Sequence, residues 1–96
     1  MSCYFVARIL IHDEAEYNRY LETCDEVFAR FSGRYLAVDR APVALEGTPE
    51  EGRMVLIEFP DESAFRSWYD SPEYQAILAH RLAGATCTSV LVRGKD

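Results

Sequence analysis

Aromatic and β-branched residues crowd the segment from Cys3 to Ile11, which predicts a strand. The polar run Asp13-Glu14-Ala15-Glu16 that follows has the form of a capping box, with Asp13 as N-cap. Beyond it Tyr17, Tyr20, Leu21, Cys24, Val27, Phe28 and Phe31 recur at helical steps, so an amphipathic helix runs to about Arg30 with these residues inward. Glu14, Asn18, Glu22, Asp25 and Glu26 form its solvated side, and Gly33 breaks it. Arg34 to Asp39 reads as a second strand, and Pro42, Gly47, Pro49 and Gly52 mark a loop. Arg53 to Phe59 is a strongly patterned third strand. Pro60 stops it, and Asp61 caps a helix whose inner side is Ala64, Phe65, Trp68 and Tyr69. Ser71-Pro72-Glu73 then restarts the helix, with Ser71 as N-cap and Pro72 at the first helical position, where its missing N–H costs nothing. Tyr74, Ile77, Leu78 and Leu82 continue the apolar stripe, Gly84 ends it, and Thr86 to Arg93 is the last strand.

This order, β-α-β-β-α-β, predicts an α+β chain of ferredoxin-like type. The expected architecture is a four-stranded antiparallel sheet with both helices on one face, its first and third strands forming a parallel central pair. Alternation along the strands assigns Phe5, Ala7, Ile9, Val55, Ile57 and Phe59 to the helix side. The other face takes Tyr4, Val6, Arg8, Leu10, Met54, Leu56 and Glu58, five apolar or aromatic side chains against two charged ones. A sheet face in water should alternate to polar. A second copy packed on this face would cover it, so the expected partner is the chain itself, through its sheet faces. Arg8 and Glu58 would then either pair across strands inside that interface or reach the sheet rim.

Composition narrows the function. At 96 residues one domain over 1–96 is expected, and the net charge of −6 disfavours nucleic acid and anionic membranes as partners. The apolar run Tyr4-Phe5-Val6-Ala7 is too short for a signal peptide or a span, which makes the cytoplasm the expected location. Cys3, Cys24 and Cys87 are odd in number and lack Cys-x-x-Cys spacing, so they read as free buried thiols. Gly33-Arg34-Tyr35 matches only a fragment of an RNA-binding sheet motif. No glycine-rich phosphate loop, nucleophile elbow or His-Glu-x-x-His occurs, and His12 and His80 are too few for a histidine metal cage. No metal, flavin or nucleotide cofactor is expected.

A set of short motifs runs in order along almost the whole chain. They are Asp13-x-x-x-Tyr17-x-x-Tyr20, Gly33-Arg34-Tyr35, Leu45-Glu46-Gly47, Val55-x-Ile57-Glu58-Phe59-Pro60, Trp68-Tyr69-x-Ser71-Pro72-x-Tyr74-Gln75, and Arg81. Together they resemble the bacterial family known as domain of unknown function 1330. The chain departs from that family in having Ser32-Gly33 before Arg34-Tyr35, and Asp39-Arg40-Ala41 where glycines are usual after the second strand. The resemblance implies a dimeric α/β barrel, two ferredoxin-like sheets face to face. Relatives of that architecture include cofactor-free monooxygenases, lactone isomerases and haem enzymes.

The candidate chemistry centres on Arg81. At ~100° per residue it falls within the arc of Tyr74, Ile77, Leu78 and Leu82, where a guanidinium must be paired. It is either an anchor for a ligand carboxylate or enolate, or a structural cation paired with Glu58 or Asp61 or reaching out to water. Trp68, Tyr69, Tyr74, Tyr17 and Tyr20 either pack the core or line an aromatic slot for a planar ligand. Arg34 is a candidate rim cation. The catalytic candidates are His80, Tyr69 and Glu58, the last as a proton acceptor if burial raises its pKa; His12, beside a capping Asp, is a weaker one. The expected ligand is a small, flat, anionic molecule between Trp68 and Arg81, brought over the sheet by the turn at Pro72. Two functions fit. One is a small-molecule-binding dimeric module; the other is a cofactor-free enzyme of isomerase or monooxygenase type, which a cavity of several hundred Å³ beside Trp68 and Arg81 would favour.

Overall fold

The computed structural model describes residues 1–95. Its elements are β1 (Cys3–Ile11), α1 (Glu14–Phe28), β2 (Arg34–Asp39), β3 (Arg53–Phe59), α2 (Glu62–Tyr69), α3 (Pro72–Gly84) and β4 (Ala85–Arg93). The strand order is β2-β3-β1-β4, and every neighbouring pair is antiparallel. The expected parallel pairing of β1 with β3 is therefore corrected. The crossover through α1 brings β2 back in the direction of β1, and the next connection reverses the chain, so β3 runs against β1. With all neighbours antiparallel, the β-α-β-β-α-β chain forms a ferredoxin-like sheet.

Each helix starts where a short polar side chain satisfies free N–H groups. Asp13 Oδ1 accepts from the Glu16 N–H at 3.1 Å, Asp61 Oδ1 from Ala64 at 2.8 Å, and Ser71 Oγ from Tyr74 at 3.1 Å. Ser71 Oγ also donates to the Trp68 carbonyl at 2.8 Å, which fixes the turn between α2 and α3. The capping box at α1 is only half formed. The Asp13 N–H bonds the Gly84 carbonyl at 3.0 Å, and Glu16 turns to His80 instead. α1 ends at Phe28, earlier than expected, and Gly33 is not what ends it. A Cβ there would lie 2.6 Å from Phe59 and 2.7 Å from Phe28, so glycine lets the chain pass tightly over the core.

The sheet's helix face carries Phe5, Ala7, Ile9, Val55, Ile57 and Phe59, all buried. On it sit Trp68, Phe65, Phe28 and Tyr74; Trp68 contacts Tyr74 at 4.2 Å and Phe59 at 5.5 Å between ring centroids. The buried side of α3 is Tyr74, Leu78 and Arg81; Leu82, placed on that stripe above, is 56% exposed. It lies at the edge of the arc, and the inward position next to it goes to the arginine. Register puts Tyr4, Val6, Leu10, Met54 and Leu56 on the opposite face, and β4 adds Val90 and Val92. Arg8 and Glu58 do not pair. Arg8 stands opposite Met54 and Glu58 opposite Tyr4, so Arg8 joins Glu50 at 2.9 Å and Glu58 joins Arg34 at 2.7 Å.

Candidate ligand-binding site

Between α1 and the helix face of the sheet lies a cavity of about 340 Å³. Its floor is Phe5, Ala7, Ile9, Val55 and Ile57, the row of β1 and β3 side chains that alternation turns toward the helices. Tyr17, Tyr20 and Cys24 wall it from α1, and Trp68 and Arg81 from the second helical pair. The mouth opens beside β2, where Leu21, Asp25, Tyr35 and Val38 are exposed. β2 lies at the sheet edge, and none of its residues is buried. A second cavity of about 410 Å³ adjoins the first, sharing Ile9, Tyr17, Leu21 and Arg53 and adding Glu14, Asn18, Arg40 and Gly52.

Arg81 is 2% exposed, and its Nε and Nη1 have no hydrogen-bond partner among the described residues. Its guanidinium lies 5.7 Å from the centroid of the Tyr20 ring. It forms no ion pair with Glu58, which bonds Arg34, or with Asp61, whose Oδ1 caps α2. Burial opposes its charge, and the neighbouring ionisable groups Tyr74, Tyr20, Cys87 and Tyr69 together outweigh that and leave its pKa above the usual arginine value. The Tyr20 and Tyr74 hydroxyls share a 2.8 Å hydrogen bond. Burial pushes both phenols above the usual tyrosine range, the more so at Tyr20, where the neighbouring Tyr74 adds to it. Trp68, 1% exposed and also on the cavity lining, has a buried Nε1–H with no partner among the described residues.

The cavity thus brings together Arg81, Trp68, Tyr17 and Tyr20. It does not include the other site candidates. Tyr69 packs behind it on Phe65 and Phe5, at 5.3 and 5.9 Å. His80 Nδ1 lies 3.0 Å from Glu16 Oε1, tying α3 to α1 outside the lining, and His12 is exposed just past β1. Arg34 and Glu58 pair on the opposite sheet face. Arg53, in contrast, was read above only as the start of a strand, yet it lines both cavities with its buried Nε unpartnered and its guanidinium 5.9 Å from the Tyr17 ring. The signal was present: two positions before Val55 and four before Ile57, it is a charge on the helix side of β3.

The three thiols are free, with Cys3 and Cys24 buried. Burial, helped by Asp25, pushes Cys24 up to about 11, so the cysteine on the cavity wall is not a ready nucleophile. Among the described residues no three His, Cys, Asp or Glu side chains are grouped to hold a metal ion.

The model of a family described as a domain of unknown function (DUF1330) matches residues 2–95. The chain belongs to the DUF1330 family. No curated protein matches it significantly. Among solved structures, this DUF1330 chain is similar to a protein of unknown function from Rhodopseudomonas palustris (TM-score 0.81, 17% identity, 99% of this chain and 83% of that one). It is also similar to SnoaB, a cofactor-independent oxygenase from Streptomyces nogalater (TM-score 0.67, 22% identity, 99% and 94%). A third is a dimeric ferredoxin-like protein of unknown function from Thermobifida fusca (TM-score 0.66, 16% identity, 98% and 92%). At these identities the likeness shows the fold. In this DUF1330 chain the run Trp68-Tyr69-x-Ser71-Pro72-x-Tyr74 is the turn that seats Trp68 and Tyr74 against one another.

Proposed function

We propose that this chain binds a small, flat, anionic metabolite in the cavity between Trp68 and Arg81. One observation carries the reading. Among the described residues, the buried side-chain polar atoms without a partner are Nε of Arg53, Nε1 of Trp68, and Nε and Nη1 of Arg81, and all three residues line that cavity. Every one is an N–H donor. An arginine cannot shed its charge, and an unpaired buried charge costs several kcal/mol, so donors left open in this way match the oxygens of a carboxylate or enolate. The Trp68 and Tyr20 rings give a flat ligand surfaces to lie against. A cavity of about 340 Å³ falls in the range of small-molecule sites. A single acidic domain, net charge −6, suits a small anion held on the buried Arg81 and the half-buried Arg53 better than a polyanion or an anionic membrane. No helix among the described residues is long and apolar enough to cross a membrane, and we place the protein in the cytoplasm.

We further infer that the working unit is a homodimer joined through the free sheet faces. The apolar Tyr4, Val6, Leu10, Met54 and Leu56, with Val90 and Val92 beside them, support this, as does the dimeric state described for the Thermobifida fusca neighbour. A second reading, a cofactor-free isomerase or oxygenase, draws on the Tyr20–Tyr74 hydroxyl pair beside Arg81 and on the likeness to SnoaB. Binding is the stronger of the two. The raised tyrosines keep their protons near neutrality, His80 is engaged with Glu16 outside the cavity, and the lining's one carboxylate, Asp25, is exposed at the mouth.

Native mass spectrometry of protein taken directly from the cell tests the reading. A small acidic molecule should accompany the wild type and be lost from Arg81→Lys, since an ammonium cannot reproduce the bidentate fork. Charge-assisted bonds of this kind are worth about 1.5–3 kcal/mol, so affinity should fall roughly 10- to 150-fold. Retained binding together with a lowered Tm would make Arg81 a structural residue and end the proposal.

A further inference from the structure

Six of the nine arginines are ion-paired: Arg8, Arg19, Arg30, Arg34, Arg66 and Arg93. Arg40, Arg53 and Arg81 have no ionic partner among the described residues, and each of them lines one or both of the two cavities. Arg53 lines both and so stands at their junction. Its guanidinium is 5.9 Å from the Tyr17 ring, that of Arg81 is 5.7 Å from the Tyr20 ring, and the two rings are 5.7 Å apart. One partly apolar enclosure therefore holds two cations, one over each of two neighbouring rings. Like charges repel more strongly there than in water. The carboxylates on the two linings, Asp25 and Glu14, are exposed and pair with neither arginine.

A monoanion on Arg81 would leave Arg53 unanswered. We propose that Arg53 is a second anion anchor and that the ligand is a planar dianion: two acidic oxygen groups on a flat, unsaturated frame, one on Arg81 and the other on Arg53. This rests on the reading of the cavity as an anion site and extends it. The open groups at both ends are donors only, so the ligand presents acceptors at both ends and not an amine. The aromatic walls between them match the flat frame.

Calorimetry with benzoate and the three isomeric benzenedicarboxylates tests it at about pH 8, where every carboxyl is ionised. With the wild-type protein at least one dicarboxylate should bind about 10-fold or more tighter than benzoate, the return on one added charge-assisted contact. Arg53→Met should abolish the preference for that dicarboxylate over benzoate, whereas Arg81→Met should weaken both ligands. The wild-type preference needs no variant to fold, and Arg53→Lys, which keeps the charge but not the fork, should retain part of it. Equal binding of benzoate and all three dicarboxylates overturns the second anchor and leaves the anion site standing. Equal weakening of both ligand types by Arg53→Met has the same meaning. No binding of any of the four probes overturns both.

Discussion

Tyr20 and Tyr74 place two hydroxyls 2.8 Å apart in the interior, one from each of two packed helices. Burial is the largest influence on both, and it raises both pKa values. In the unfolded chain each would release its proton near pH 10. Above that pH the unfolded state binds fewer protons than the folded one, so stability must fall as pH rises. The stability these protonated hydroxyls contribute is thus fully present below about pH 10 and is lost above it. Tyr20→Phe removes one such group and also the shared bond, which costs about 0.5–1.5 kcal/mol at neutral pH. Its stability deficit, measured by denaturant unfolding, should narrow or reverse between about pH 8 and pH 11. A deficit that stays constant over that interval would show that Tyr20 does not hold a proton against the solvent.

At the scale of elements, the contact between α1 and α3 depends on Gly84. A Cβ at this position would lie 2.7 Å from the Tyr17 backbone nitrogen and 2.9 Å from the Asp13 carbonyl, and backbone cannot move aside cheaply. The Gly84 carbonyl also accepts from His12 and Asp13, both at 3.0 Å. In an isolated helix Gly84→Ala would help by about 1 kcal/mol. Here overpacking of about 1–3 kcal/mol should prevail, and Tm should fall by several degrees, at roughly 4–8 °C per kcal/mol for a domain of this size. An unchanged or higher Tm would mean the two helices are not in contact there. The same distinction separates what was legible in the sequence from what was not. Arg34–Asp39 and Arg53–Phe59 match their expected limits because capping residues, prolines and period-two alternation are local signals. The inward placement of Tyr17, Tyr20, Trp68 and Arg81 was legible for the same reason, through helical phase. Features set by how elements meet were not: the direction of β3 against β1, the end of α1 at Phe28, and the outward turn of Leu82. Arg8 and Glu58 sit four positions out of register, roughly 13 Å along the strand, an offset decided by packing between distant segments. Arg53 falls between these cases, since its face was readable but its lack of an ion-pair partner among the described residues was not.

The whole molecule is a slab, 33 by 32 by 15 Å, with one layer of helices over one sheet. Its accessible surface of 6279 Å² exceeds the roughly 5,600 Å² expected of a compact monomer of this mass. Part of the excess is the uncovered sheet face, where Val90 and Val92 are 59% and 46% exposed beside Leu10, Met54 and Leu56. Apolar area of that kind gains about 25 cal/mol per Å² when covered, and two identical faces meeting about a two-fold axis cover each other. The charged residues do not oppose this, because Glu58 is already neutralised by Arg34 at 2.7 Å and Arg8 by Glu50 at 2.9 Å. Light scattering at micromolar concentration should therefore give twice the chain mass. Leu56 lies on the central strand β3, opposite Val6, so Leu56→Asp would place an unpaired carboxylate in the middle of a dry interface. Breaking a buried charge pair costs about 3–5 kcal/mol, and an uncompensated carboxylate should cost a similar amount, enough to weaken the dimer about 100- to 5,000-fold. The variant should keep its far-ultraviolet circular dichroism, because on the protomer Leu56 lies on the face away from the helices and outside the buried core, and should scatter as a monomer. A wild type that is monomeric at micromolar concentration, or a Leu56→Asp protein that remains dimeric, would require another partner for this face.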